Sequence, residues 1–502
     1  MFSKNQIIKG TLVLTISSII SRILGFLYRI FLSNLIGAKG MGIFQLIFPV
    51  LTFCIALSCG GIQIAVSRFV AESKSKAQCF LVLISSILMS LFLSLITCGV
   101  LYSYATPISL YIIKNSYCAE LLKYASITIP LAAFHACVSG YYLGLKKTFV
   151  PAWSSVFEQV VKLIALYILS IVWVSNGIFI TPLIAVYSMI LSELAGVSFC
   201  LIAICSEKKY AIKIRELFST MKSVFSVSYI LTLNKIMLTF LQCVEAILVP
   251  VVLVKSGLSM SDSLSIYGIL TGMAIPVITF PSAINSSVCT MILPTIAKAN
   301  TSDNSSGVKR TTEVSIWFSL VTGIFCIGIF IFYGDFIGTE IFGHPQAGDY
   351  IKILAWLCPF MYLSMTLGSI LHGLGKTNAA FVHNVIGTAI RLGFLWFIVP
   401  EIGIIGYLWG LLISNLVVTA LHGIYVSKFV DFKFSAFDCI IKPTAWLFCS
   451  LAVGELIRFI LGFTDFSGKI FNMFSAVVSA GSICLVFLYF IVKQWKEIKT
   501  EF

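Results

Sequence analysis

Gly144-Leu145-Lys146-Lys147-Thr148 is matched later in the chain by Gly373-Leu374-Gly375-Lys376-Thr377, at a constant offset of 229 residues. Fourteen residues after each threonine, an apolar stretch contains one cation, Lys162 in the first copy and Arg391 in the second. A weaker match sets Phe48-Pro49-Val50 against Ile275-Pro276-Val277. The pattern predicts a chain built from two similar halves, a plan common among transporters, whose sites lie between the repeats.

The chain around this repeat is too apolar for a soluble protein. Of its 502 residues, 59% are hydrophobic and only 11% are charged, and the mean hydropathy is +1.02. Soluble domains have about 25% charged residues, and disordered chains are poor in apolar ones. These values exclude a soluble enzyme and a disordered chain, and they predict an all-α polytopic membrane protein.

Fourteen apolar segments are long enough to cross a bilayer, because a crossing takes about 20 residues. The segments are 11–33, 43–66, 79–101, 121–143, 153–175, 180–204, 223–254, 266–296, 314–333, 351–373, 379–399, 402–426, 443–461 and 470–492. The repeat groups them into a six-helix N-lobe (residues 1–210) and a six-helix C-lobe (residues 211–436) in parallel orientation. We expect the last two helices (residues 437–502) to lie outside the repeat and to form a groove for a lipid tail.

The positive charges predict the orientation in the membrane. With the N-terminus placed in the cytoplasm, 22 of the 34 Lys and Arg residues fall in cytoplasmic segments and six in outer ones. Cytoplasmic loops carry such an excess. We therefore expect a multi-pass protein of the cell membrane, surrounded by membrane lipids, with both termini cytoplasmic. The net charge of +14 is then a signal of topology, and no nucleic-acid partner is needed to explain it.

The first span contains two cations on one face. Ser18, Arg22, Gly25 and Arg29 follow at steps of four, three and four, and the two arginines are about 20° apart around the helix. Guanidinium groups match phosphate oxygens. This face is thus predicted to hold a phosphate-bearing head group. The alternative is that Arg29 reaches the membrane interface and Arg22 pairs with an acid.

The cations of the repeat differ in their neighbours. Glu158 stands four residues before Lys162, an order that favours a neutral ion pair along the helix, although a role in a site stays open. Gly387 occupies the same place before Arg391. The partner of Arg391 must therefore come from another helix, from water or from substrate.

The seventh segment, 223–254, is long and polar for a span. Its 32 residues would measure about 48 Å as a helix, so we expect a tilt or a break. Asn234, Lys235 and Glu245 lie within it and are candidates for coupling or gating, unless they are satisfied locally. The eighth segment, 266–296, contains several prolines and is expected to bend.

Enzymatic motifs are missing from the sequence. The stretch ending in Gly375-Lys376-Thr377 has Ile370 where a P-loop needs its first glycine, and neither HExxH nor GxSxG occurs. The five histidines, His135 and His383 among them, show no metal spacing and are expected in the core or at its rim. Glu193 has no assigned role. We expect no catalysis, no bound metal and no cofactor, and we interpret the 15 cysteines as reduced apolar fillers.

The first two spans resemble one family of membrane proteins. The segments that match are Gly10-Thr11-Leu12, Ser21-Arg22-Ile23-Leu24-Gly25-Phe26, Arg29-Ile30, Leu35-Ile36-Gly37-Ala38 and Gly40-Met41-Gly42-Ile43-Phe44-Gln45-Leu46-Ile47-Phe48-Pro49. They resemble the stage V sporulation protein B family, from the polysaccharide-transport branch of the MOP exporter superfamily. That family is related to the MurJ lipid II flippases and, more remotely, to the MATE drug exporters.

The resemblance implies an alternating-access flippase for an undecaprenyl-pyrophosphate-linked saccharide, with lipid II for spore-cortex peptidoglycan as the first candidate. It implies that membrane potential or an H⁺ or Na⁺ gradient drives the cycle and that cell-wall synthesis enzymes are partners. Arg22 matches an arginine that binds pyrophosphate in MurJ-like proteins, Arg29 is displaced by one residue from that spacing, and Arg68 matches at the end of the second span. The alternatives are a cation-coupled MATE-type drug exporter and a non-transporting assembly factor.

Overall fold

The structure is a computed structural model that describes residues 4–207, 210, 213–301, 305–462 and 469–500. Every regular element within these ranges is a helix, which confirms the predicted all-α class. Lys208, Lys209 and residue 211, the predicted start of the C-lobe, lie outside the described residues.

The described helices follow one another in chain order. They are α1 (Lys4–Cys59), α2 (Ile62–Glu72), α3 (Lys76–Pro107), α4 (Tyr117–Ala125), α5 (Thr128–Gly144), α6 (Phe149–Ser175), α7 (Leu183–Cys205), α8 (Ile214–Lys255), α9 (Met260–Gly268), α10 (Ile275–Thr279), α11 (Ser282–Thr301), α12 (Ser305–Phe336), α13 (Pro345–Ala355), α14 (Cys358–Gly373), α15 (Thr377–Phe397), α16 (Val399–Ile402), α17 (Ile404–Ser427), α18 (Lys442–Gly462) and α19 (Lys469–Thr500). Short π-helical segments occupy Ile108–Ile113, Ile269–Ala274, Ile337–Ile341 and Phe437–Ile441.

The helices account for the predicted spans. Among the described residues, 12 helices are long and apolar enough to cross a membrane, and α13 with α14, bent by 54°, makes a thirteenth if the pair is one span. One of the 12 is the continuous stretch Leu12–Glu72, which covers both the first and the second predicted span. The helices thus cover the 14 predicted segments, although α10 and α11 divide the end of the eighth.

Two of the long predicted segments differ in whether they form one continuous helix. The eighth predicted segment, which was expected to bend, is instead interrupted where α10 ends at Thr279 and α11 begins at Ser282, beside Pro281. Helix α8 is unbroken over 42 residues, about 63 Å, although it includes Pro250. Of the two outcomes expected for this segment, a tilt or a break, the break is absent.

The contacts divide the chain into two compact units. The first unit contains the residues up to Met273 together with Leu392–Tyr407, and the second contains Ala274–Arg391 and everything from Leu408 onward. Helices α8 and α9, which the repeat assigns to the C-lobe, pack against α1 in the first unit. Glycine permits this packing, since a Cβ on Gly42 of α1 would lie only 2.0 Å from the carbonyl oxygen of Leu264 in α9.

Each unit has its own apolar core. In the first unit, Val66, Leu83 and Val138 are buried together between α2, α3 and α5. In the second, Ile296, Leu371 and Phe487 belong to one cluster, and α18 packs against both α12 and α19. The outward side chains of α18 and α19, such as Phe448 and Leu485, are exposed and apolar. Such surfaces are what a lipid environment requires.

Candidate functional site

The polar face of α1 lines a groove against α6. Arg22 lies in its wall, and the Ser21 and Ser155 hydroxyl oxygens are 3.4 Å apart across it. The groove has a volume of about 390 Å³ and is lined by Leu14, Ser17, Ser18, Ser21, Arg22, Pro151, Ala152, Ser155 and Gln159. Hydroxyl and guanidinium groups therefore share one small polar space in the first unit.

Arg29 lies two turns further along the same helix face. It is half-buried, and it makes no ion pair or hydrogen bond with any residue that the structure describes. Its electrostatic neighbours include Tyr28 and Lys162. A guanidinium within a span and without a bonded acid keeps its donors available for a ligand.

Lys162 of α6 faces an aromatic ring. Its Nζ atom is 4.7 Å from the centroid of Tyr28, whose hydroxyl group is 2.9 Å from the Ser188 oxygen in α7. The predicted ion pair between Lys162 and Glu158 is not formed in the described part of the chain, and only a longer-range electrostatic interaction joins the two. This prediction was wrong because the ring, presented by another helix, offers the ammonium group a contact that periodicity along α6 cannot reveal.

Glu158 belongs to a second group, which the sequence analysis missed. Its Oε2 atom is 3.7 Å from Nδ1 of His135 in α5, and Glu193 of α7 completes the group. One potential ligand atom from each of the three residues lies within 4.8 Å of the others. These residue types at such distances can hold a cation.

A signal for part of this group exists in the sequence. His135 precedes the end of α5 at Gly144 by nine residues, and Glu158 follows the start of α6 at Phe149 by nine. Two helices joined by a short loop run antiparallel, so residues equally far from the loop lie at equal depth. The histidine and the acid could have been paired on this basis.

Arg391 forms hydrogen bonds within the second unit. Its guanidinium donates to the Thr388 hydroxyl at 3.1 Å and to the Ser414 hydroxyl of α17 at 3.5 Å. The expectation that another helix contributes a partner is confirmed.

The candidates in α8 do not come together. Asn234 and Lys235 are exposed, whereas Glu245 is buried and accepts a hydrogen bond of 2.9 Å from the Tyr407 hydroxyl. Lys235 and Glu245 are ten residues apart in an unbroken helix, about 15 Å along its axis. The structure therefore does not form one coupling site from them.

Arg68 is also separate from the other cations. It lies on α2 with 64% of its side chain exposed, and its Nε atom contacts the Glu72 carboxylate at 2.9 Å. This is an i,i+4 surface pair, which leaves Arg68 outside the group formed by Arg29 and Lys162.

Comparison with known families identifies the family to which the chain belongs. The family profile described as polysaccharide biosynthesis protein matches residues 7–300, and the MatE profile matches residues 236–397. The first match covers more than half of the chain. The chain belongs to the polysaccharide biosynthesis protein family.

Curated relatives of this family member come from Bacillus subtilis (strain 168). Stage V sporulation protein B is 25% identical over 473 residues, which is 91% of each chain. Lipid II flippase MurJ is 24% identical over 434 residues, 77% of this chain and 76% of the relative. The resemblance inferred from the first two spans is confirmed.

Solved structures of the same superfamily share the fold. Lipid II flippase MurJ in an inward closed conformation matches with a TM-score of 0.65 and 14% identity, over 97% of this chain and 99% of that one. An inward-facing multidrug resistance MATE family transporter matches with a TM-score of 0.62 and 14% identity, over 81% and 95%. This family member is therefore a multi-pass membrane protein with the fold of MOP superfamily transporters.

Proposed function

We propose that this protein is a flippase that moves an undecaprenyl-pyrophosphate-linked saccharide across the cytoplasmic membrane by alternating access. Lipid II destined for spore-cortex peptidoglycan is the substrate we infer. Two relatives are called Stage V sporulation protein B and Lipid II flippase MurJ, and these names support both parts of the proposal. Cell-wall synthesis enzymes that make or consume the saccharide are the partners it implies.

The proposal rests mainly on Arg29, whose guanidinium interacts with Lys162 and forms no ion pair with any described acid. A charged residue at bilayer depth costs about 2.5–3.5 kcal/mol on insertion scales. No described acid bonds to Arg29, so this cost is not offset by a direct ion pair. An anion from outside the chain can supply the missing charge, and a pyrophosphate offers oxygens that fit a guanidinium in a bidentate manner.

The groove at Arg22 supports the same ligand class. It lies on the same face of α1, two turns from Arg29, and its serine hydroxyls can donate to phosphate or sugar oxygens. A head group with both a pyrophosphate and a saccharide needs such a series of donors. Arg22 is thus the second residue that we propose to contact the substrate.

The proposed transport cycle also needs a source of energy from outside the protein. We infer membrane potential or an H⁺ or Na⁺ gradient, since the substrate head group is charged. The potential contributes about 2.3 kcal/mol per elementary charge per 100 mV.

The test is lipid II translocation by the full-length protein reconstituted in vesicles. We expect Arg29→Gln to slow translocation by roughly tenfold or more, since a hydrogen bond to a charged group contributes about 1.5–3 kcal/mol. Arg215→Gln is the matched control, because Arg215 is exposed at the start of α8. It should translocate at the rate of the unsubstituted protein.

Three results would contradict the proposal. Arg29→Gln could translocate at the control rate, which would remove Arg29 from the substrate. The unsubstituted protein could export cationic drugs and leave lipid II in place, as a MATE-type exporter does. It could also translocate neither, as expected of an assembly factor.

A further inference from the structure

Three groups that can each donate an electron pair to a cation face one another in the first unit. The first is Nδ1 of His135. The other ring nitrogen, Nε2, is 3.0 Å from the Ser154 oxygen, and the Ser154 hydroxyl is 3.2 Å from the Pro151 carbonyl oxygen. When Ser154 donates to that carbonyl, its oxygen accepts the Nε2–H of His135. In a neutral imidazole this leaves Nδ1 with its lone pair, 3.7 Å from Oε2 of Glu158.

The other two groups are the carboxylates of Glu158 and Glu193. Oε2 of Glu193 is fully buried and has no hydrogen-bond partner among the described residues. Lys162 does not fill this role, since its ammonium group lies over the Tyr28 ring. A buried acceptor without a partner costs free energy, and two carboxylates in one buried group repel one another when both are ionised.

Packing of the helices does not by itself require these acids. The repeat places Gly387 at the position of Glu158. Leu191-Ser192-Glu193-Leu194 of α7 is similar to Ile413-Ser414-Asn415-Leu416 of α17, at an offset of 222 residues, and asparagine then stands in place of Glu193. The second unit thus builds the equivalent helices without either carboxylate, and the acidic group is particular to the first.

We propose that His135, Glu158 and Glu193 bind one divalent transition-metal ion of the zinc class. The three candidate ligand atoms lie within 4.8 Å of one another, and binding one Zn²⁺ ion, with bonds of about 2.0–2.2 Å, would draw them to within about 4.4 Å. An imidazole nitrogen with two carboxylates favours Zn²⁺ or a similar ion over Na⁺, Mg²⁺ or Ca²⁺, which take oxygen ligands.

The surroundings suit such an ion. Ser154 orients the imidazole through its second nitrogen, as outer groups do at metal sites. Gly196 of α7 borders the same group, since a Cβ there would lie 3.7 Å from both Glu158 Oε2 and His135 Nδ1. The site involves neither Arg22 nor Arg29, and it does not depend on the proposed transport function.

The test is metal binding by the purified full-length protein after chelator treatment. Titration with Zn²⁺, and with Co²⁺ as a spectroscopic probe, should detect one ion bound through nitrogen and oxygen. We expect Glu193→Gln to weaken binding at least tenfold. Ser154→Ala should weaken it by roughly 10–100-fold through the orientation of His135. Glu455→Gln is the control, because Glu455 is exposed in α18 and pairs with Arg458.

Several outcomes would overturn the proposal. Binding that is absent, or equal in Glu193→Gln and Glu455→Gln, would do so. Thiolate charge-transfer bands in the Co²⁺ spectrum would assign the ion to the cysteines. Displacement of Zn²⁺ by equimolar Na⁺ would assign the site to an alkali ion. If Glu193→Gln fails to fold, Ser154→Ala decides the question, since it removes only one hydroxyl group.

Discussion

Tyr28 shows how one residue decides the chemistry around it. Its ring lies under the ammonium group of Lys162, and its hydroxyl contacts Ser188. The ring takes the place that the sequence pattern assigned to Glu158. With Lys162 held there, Glu158 faces His135 and Glu193 instead. The ring thus gives Lys162 its direct contact, while Lys162 interacts with the two acids only electrostatically at longer range.

The two roles of Tyr28 can be measured separately. Tyr28→Phe removes the hydroxyl and should lower the free energy of unfolding by about 1 kcal/mol. Tyr28→Leu also removes the ring, and loss of a desolvated cation–π contact should cost about 2 kcal/mol more, beyond the packing loss. Unfolding of the purified protein in mixed micelles gives both values.

Tyr333 is a matched control for this measurement. Its hydroxyl donates to Ser479 at 2.8 Å, and no described cation lies over its ring. Substitution by Phe and by Leu should cost the hydrogen bond and the packing, but no cation contact. The Phe and Leu variants at each position differ in their free energy of unfolding. If that difference is the same at Tyr28 and Tyr333, the cation–π contact contributes nothing.

At the scale of elements, α1 is two helices joined at a single residue. Gly37 has φ of 68° and ψ of 178°, values that are open only to glycine, and the backbone is helical on both sides. The 56 residues of α1 would extend about 84 Å if straight, far more than one bilayer. The kink makes two spans from one continuous helical stretch.

Gly37→Ala tests the importance of this kink. No atom lies within 4 Å of the added Cβ, so the cost is conformational strain alone. We expect a loss of roughly 1–3 kcal/mol in the free energy of unfolding. Gly99 of α3 is the control, because its Cβ would also meet nothing within 4 Å and its backbone is helical. Gly99→Ala should leave stability unchanged or raise it by up to about 1 kcal/mol. Equal effects at the two positions would disprove the strain.

Close packing of helices follows a pattern that the sequence also contains. Gly140 and Gly144 form a GxxxG pair on α5, and a Cβ on either would lie 2.6 Å from a backbone oxygen of α2, that of Gln63 or Ser67. The pair thus lets the backbones of α5 and α2 approach closely, as GxxxG pairs do between membrane helices.

At the scale of the whole molecule, the distribution of charge predicts the topology. The bias of 22 cytoplasmic over six outer basic residues predicts that both termini are cytoplasmic. A C-terminal green fluorescent protein fusion should therefore fluoresce. Alkaline phosphatase should be active when fused after Asn115, in a predicted outer loop, and inactive when fused after Lys74. The opposite pattern would invert the topology and place the basic loops outside.

Much of the architecture was accessible from the sequence, because the cost of exposing apolar side chains and backbone groups in lipid acts locally. Apolar run lengths indicated the spans, and Ser21-Arg22-Ile23-Leu24-Gly25-Phe26 indicated the family. The offset of 229 predicted lobes that divide at residue 210, whereas the compact units of the structure divide at Met273. The candidate site was accessible in part. Arg22, Arg29 and Lys162 stood out because a charge within a span is expensive.

The partners of these charges were decided only by tertiary structure. Lys162 contacts Tyr28 instead of Glu158, and Glu245 binds Tyr407 instead of sharing a site with Lys235. The group of His135, Glu158 and Glu193 draws one residue from each of three helices. Periodicity tells which residues share a face of one helix, whereas distances between helices depend on how the faces of different helices pack. For this reason the sequence predicted which residues are costly to bury, and the fold determined which neighbours compensate them.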